Sequence, residues 1–102
     1  MPDDTMPDDT VAIQNANRPG KTERVDRVKY EAMREALLAV LPAQAPGLTV
    51  DAAKAALLPM LSGAAFPEGR TAGWWLKAVQ LDLEAKGTIR RASTKPVHLY
   101  RV

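Results

Sequence analysis

Cysteine is absent from the 102 residues, histidine occurs once, at His98, and aromatics make up 5% of the chain. Without thiols there can be no disulfide staple, thiolate zinc site or cysteine nucleophile, and this usage fits a reducing compartment, with the cytoplasm as the expectation. No apolar run approaches the ~18 residues of a membrane span, and the chain opens on aspartates where a secretory signal would be basic and then apolar. A soluble protein with no membrane partner is expected. Phosphate-cradling loops are also missing, because Gly69 to Gly73 leads to no Lys-Ser or Lys-Thr pair. The lone His98 falls on an alternating, strand-like segment beside Tyr100, and Asp82 and Glu84 point about 200° apart on a helix, so they cannot share a metal or a proton. We therefore expect no catalytic site, no metal and no cofactor.

What is present suits one ordinary domain: 46% hydrophobic residues, 25% charged residues and a net charge of +2. So small a net charge argues for no particular partner. Its distribution says more. Residues 1–20 hold Asp3, Asp4, Asp8 and Asp9 against Arg18, and residues 21–68 are balanced. Residues 69–102 carry seven cations (Arg70, Lys77, Lys86, Arg90, Arg91, Lys95 and Arg101) against Asp82 and Glu84. The positive charge gathers at the C-terminal end.

Met-Pro-Asp-Asp-Thr occurs twice in succession at the start, and the following stretch to Gly20 offers only Val11 and Ile13 as sizeable apolar groups. Residues 1–20 thus read as a disordered acidic tail, and residues 21–102 as the folded domain. The four aspartates are also placed to fold back over the basic third. Helical spacing begins near Thr22, a candidate cap, and carries Val25, Val28, Ala32, Met33, Ala36, Leu37, Val40 and Leu41 on one face until Pro42 stops it. Arg27 and Glu31 pair at i,i+4 on the other face, and Tyr30 belongs to the core with its hydroxyl at the rim. Pro46 and Gly47 mark a connector, Leu48 a very short strand, and Thr49 the cap of a second, alanine-rich helix that ends or kinks at Pro59. Met60 and Leu61 are expected to face the core. A loop from Ser62 to Gly69 follows, with Phe66 as its anchor.

A third helix, from about Thr71 to Lys86 with Gly87 as its stop, carries three faces when projected at roughly 100° per residue. Ala72, Trp75, Leu76, Val79 and Leu83 form the core face. Lys77, Gln80 and Glu84 form a polar stripe that Arg70 extends. Trp74, Ala78, Leu81 and Ala85 form a second apolar face, which needs a cover from elsewhere in the chain or from another molecule.

Beyond Gly87, Thr88 to Ala92 and Val97 to Val102 flank a Ser93-Thr94-Lys95-Pro96 turn and predict a β-hairpin. The string Leu83-Glu84-Ala85-Lys86-Gly87-Thr88-Ile89-Arg90-Arg91 resembles the junction of recognition helix and wing in winged-helix proteins. Gly73-Trp74-Trp75-Leu76-Lys77-Ala78-Val79-Gln80-Leu81-Asp82-Leu83, with Tyr30-Glu31-Ala32-Met33-Arg34 and Phe66-Pro67 upstream, resembles a family of short bacterial proteins of unknown function over about residues 25 to 102. That likeness implies an α+β winged helix-turn-helix fold, three helices followed by a two-stranded antiparallel wing, and no agreed activity.

Two binding functions follow as expectations. In the first, a regulator binds double-stranded DNA, with Arg70, Lys77 and Gln80 at base edges and Arg90, Arg91 and Lys95 at phosphates. Glu84 on the same stripe and the apolar Trp74 and Leu81 count against it. In the second, Trp74 and Leu81 anchor an interface with a second copy of the chain or another protein, without DNA. Burial of Trp74 inside the monomer, under the Ser62 to Gly69 loop, is the plain structural alternative.

Overall fold

Residues 10–61, 63, 66 and 70–102 are described by the computed structural model. The expected disorder of residues 1–9 and their aspartates lies outside the described residues, as does most of the loop after Leu61. Two strands, β1 (Thr10–Gln14) and β2 (Thr22–Asp26), precede helix α1 (Arg27–Val40). A two-residue strand β3 (Leu48–Thr49) leads into α2 (Val50–Leu57), which runs on into a 3-10 turn at Leu58–Met60. Helix α3 (Ala72–Ala85) and the strands β4 (Ile89–Ala92) and β5 (His98–Arg101) complete the order.

The expected tail is corrected for residues 10–20. Strand β1 pairs antiparallel with β2, Val11 opposite Val25 and Ile13 opposite Glu23, and Ile13 and Val25 are buried. This hairpin also takes the residues expected to open the first helix. The cap of α1 is Asp26, not Thr22, its carboxylate accepting from the Lys29 N–H at 2.9 Å. Val28, expected on the apolar face, is 67% exposed in the first turn. Farther along, Met33, Ala36 and Leu37 are buried as their spacing requires, Leu41 follows them, and Arg27 and Glu31 lie 3.9 Å apart.

Thr49 caps α2 by accepting from the Ala52 N–H at 3.0 Å, and Ala53 and Leu57 are buried. Met60, expected to face the core, is exposed; Leu61 packs partly against the core. Helix α3 ends in a paired αL closure. The Thr88 N–H donates to the Leu83 carbonyl at 2.9 Å and the Gly87 N–H to that of Glu84 at 3.1 Å, with Gly87 at φ +78°.

The C-terminal hairpin forms as expected, β4 antiparallel to β5, with β3 joining the far side of β5 to give the order β3-β5-β4. The fold is thus a mixed α+β arrangement of three helices and two small antiparallel sheets. It departs from the expected three helices followed by a two-stranded wing. The sheet holding that hairpin has a third strand, and a further hairpin precedes α1. Where β3 approaches β5, Gly47 sits at φ +89°, and a Cβ on it would lie 1.8 Å from the Leu99 carbonyl oxygen.

One buried polar knot holds the first hairpin against α3. Asp82, with no solvent exposure, accepts at Oδ1 from the Gln14 N–H (2.8 Å) and at Oδ2 from the Tyr30 hydroxyl (2.5 Å) and the Lys86 ammonium (3.0 Å). Lys86 also lies 5.8 Å from the centre of the Tyr30 ring. A second stitch runs from the Ala16 N–H to the Leu81 carbonyl at 3.2 Å. Burial first, and then the hydrogen bond to Asp82, hold the Tyr30 proton well above the ordinary value of 10.0. Tyr30 therefore contributes stability in full below about pH 10, and that contribution is lost as the pH rises further.

Three outcomes are expected. Ile13→Ala costs roughly 2–4 kcal/mol in urea unfolding, whereas in a disordered tail it would cost nothing. Gly47→Ala lowers stability by more than about 1 kcal/mol through both its φ and the collision with Leu99. Tyr30→Phe costs about 1–3 kcal/mol at neutral pH by leaving a lone pair of a buried carboxylate without its donor. It also flattens the fall in stability above pH 10, and an alkaline limb equal to that of the parent protein would refute the role given to Tyr30.

Candidate functional site

The three faces of α3 meet different fates. Ala72, Trp75, Leu76, Val79 and Leu83 are buried in the core as their spacing requires. Phe66 is buried with its ring edge-on to Trp75, centroids 6.5 Å apart, so the loop anchor contacts Trp75. Trp74 stays 54% exposed, its ring nearly perpendicular to that of Trp75 with centroids 5.0 Å apart. Burial of Trp74 within the monomer is thereby corrected.

Leu81, the other expected interface anchor, is buried at 6% exposure. The hairpin supplies its cover: Ile13 lies with it along one cleft wall, and Ala16 bonds to its carbonyl. The second apolar face thus finds its partner within the chain at Leu81 and in part at Ala78, while Trp74 and Ala85 at its two ends are exposed.

The polar stripe is also rearranged. Gln80, expected at a base edge, is buried at 7% exposure and donates from Nε2 to Glu84 Oε2 at 2.8 Å. Arg91, expected at a phosphate, forks onto the same carboxylate, Nε to Oε1 at 3.0 Å and Nη2 to Oε2 at 3.1 Å. Those bonds hold its guanidinium even more firmly protonated than usual. Gln80, Glu84 and Arg91 form one mutually bonded cluster that ties α3 to β4, with Arg91 at its exposed edge, so both Gln80 and Arg91 already have a partner within the chain. Lys77, Arg70, Arg90 and Lys95 are exposed. Alternation along β4 puts Arg90 on the sheet face opposite Arg91 and the buried Ile89, away from α3. The six residues expected to touch DNA therefore do not form one surface.

Another set of cations gathers where the expected one disperses. Two clefts flank α3 and share Gly73, Lys77 and Leu81. The first, of about 470 Å³, lies between α3 and the first hairpin; Arg18, Lys21 and Glu23 line it together with Trp74 and Lys77. The second, of about 380 Å³, adds Lys54, Asp51 and Arg91 from α2 and β4. Lys54 reaches from α2 to the first turn of α3 where Gly73 leaves room: a Cβ on Gly73 would meet its ammonium at 3.3 Å. Five cations (Arg18, Lys21, Lys54, Lys77 and Arg91) thus border the exposed side of α3, against the carboxylates of Glu23 and Asp51.

Arg18, Lys21 and Lys54 escaped sequence reasoning because they lie far from α3 along the chain. Their clustering depends on the hairpin's return and on the packing of α2. His98 is tied locally, its Nδ1 2.8 Å from Thr94 Oγ1 and 2.9 Å from the Pro96 carbonyl. Among the described residues no group of three or more His, Asp or Glu side chains could hold a metal ion, and no helix is long and apolar enough to cross a membrane.

No curated protein and no solved structure matches the chain. One family does, and its match begins at the first residue of β1, taking in the hairpin that completes the site. Over residues 10–99 the chain matches, and belongs to, a family of unknown function, DUF6958.

Proposed function

We propose that this chain is a non-enzymatic binding module that docks on the phosphate backbone of double-stranded DNA, its three helices and β3-β5-β4 sheet serving as a winged helix-turn-helix. The observation that carries the reading is the band formed by Arg18, Lys21, Lys54 and Lys77 along the exposed side of α3, beside the Glu84-bound Arg91, with Lys77 at the junction of the two clefts. A duplex presents a line of negative charge, and a band of cations on one helix side neutralises several phosphates at once, releasing their counterions. Glu84 no longer opposes such docking, because its carboxylate is already held by Arg91 and Gln80.

Base readout is thin on this reading. With Gln80 turned inward, Lys77 is the side chain on α3 of the expected set that is placed to reach base edges, and Lys95 at the turn between β4 and β5 adds a phosphate contact. Weak sequence preference follows. A second reading, an interface with a second copy or another protein, is favoured by the exposure of Trp74. Internal burial of Leu81 narrows that interface to a single large anchor.

Fluorescence anisotropy with a labelled 20-base-pair duplex at low and moderate salt tests the proposal. Affinity is expected to fall steeply with salt, and a Lys54→Ala, Lys77→Ala double variant is expected to reduce the slope of log K against log salt by about 2. Absence of binding at low salt, or binding indifferent to salt, would overturn it. A concentration-dependent dimer in sedimentation that Trp74→Ala abolishes, with no duplex binding, would favour the second reading.

A further inference from the structure

The cleft between the first hairpin and α3 has features that phosphate docking leaves unused. Its volume, about 470 Å³, falls in the range of small-molecule sites, ~300–1,000 Å³. Ile13, Ala78 and Leu81 give it an apolar lining, and at one end stands the exposed indole of Trp74, held edge-on by Trp75. Arg18 and Lys21 from the hairpin turn, and Lys77 from α3, contribute three positive charges against the single carboxylate of Glu23. Among the described residues no hydrogen bond or ion pair occupies the side chains of those three cations. Other cations are committed inside the fold, Lys86 to Asp82, Arg91 to Glu84 and Arg101 to the Leu41 carbonyl.

We propose that this cleft is a binding site for a planar aromatic anion of nucleoside monophosphate size. The aromatic plane stacks on Trp74, an indole that is 54% exposed in the free chain. The anionic group lies among Arg18, Lys21 and Lys77, where charge-assisted hydrogen bonds form without first breaking an internal ion pair. The apolar lining excludes water from the ring, and Glu23 disfavours a cationic ligand. Neither half alone suffices: a neutral ring leaves the cations hydrated, and a bare anion leaves Trp74 uncovered. The site shares Arg18, Lys21 and Lys77 with the phosphate band, and its aromatic wall and apolar lining are what duplex docking does not use.

Titration of the full chain with adenosine 5′-monophosphate, followed by nitrogen-proton correlation NMR, tests it, with adenosine and inorganic phosphate as the two half-ligands. The indole N–H of Trp74 and the backbone amides of Arg18 to Thr22 are expected to shift together and to saturate, with each half-ligand at least about tenfold weaker. Trp74→Ala, at an exposed position, is expected to keep the fold, as shown by unchanged dispersion of the remaining amide signals, to weaken binding about tenfold, and to leave duplex affinity unaltered. Lys77→Gln is expected to weaken it similarly while leaving the Trp74 indole signal of the free protein in place. No saturable shift in the cleft, or equal shifts with phosphate alone, would overturn the site whether or not the duplex binds. Salt-dependent duplex binding without a response to the nucleotide would leave the docking surface standing and remove this one.

Discussion

Asp82 has no contact with water, and everything distinctive about the molecule depends on how its charge is satisfied. A buried carboxylate costs several kcal/mol unless donors surround it. Here the donors come from a backbone amide of β1, a phenol of α1 and an ammonium one turn along α3. Three segments remote in sequence are thereby fixed to one point. The arrangement is also asymmetric: losing any donor leaves a charged acceptor stranded, which makes the contact specific as well as stabilising.

The hairpin pinned at that point changes what α3 can present. An isolated helix of this sequence would show two apolar faces and one polar stripe. With β1 laid along it, Leu81 is inside, Ala78 is half-covered, and Trp74 and the small Ala85 remain of the second face. Across the helix, Arg91 and Gln80 converge on Glu84 and commit three polar groups to one another, although the Arg91 side chain stays 42% exposed. The hairpin turn then brings Arg18 and Lys21 to the side of Lys77, so the positive surface is assembled from different residues than those nearest to α3 in sequence. One contact network thus closes an apolar face, neutralises a carboxylate and builds two charged clefts.

Much of this was legible beforehand where local chemistry is decisive. Leu37, Ala53, Val79 and Leu83 follow helical spacing and are buried accordingly. Thr49 caps because a hydroxyl before an alanine-rich run has a free N–H to satisfy, and Gly87 ends α3 because the αL closure needs a residue without Cβ strain. Residues 10–26 were misread for an equally physical reason. A two-stranded hairpin with Ile13 and Val25 as its buried groups carries too little apolar area to announce itself, and its strands persist by leaning on α1 and α3. The burial of Asp82 has no local signal, because an acidic residue on a helix is ordinarily solvated and the partners at Gln14 and Tyr30 that hold it inside are remote in sequence.

By itself, then, the sequence determined the periodic and punctuated parts: three helices, their stops and the C-terminal hairpin, all set by interactions within a few residues. The tertiary structure alone decided which face of α3 is covered, which cations are free and where the clefts lie. Those outcomes hinge on pairings such as Gln14 with Asp82, 68 residues apart. No local propensity encodes such a pairing, because its energy exists only once burial has removed water from both partners.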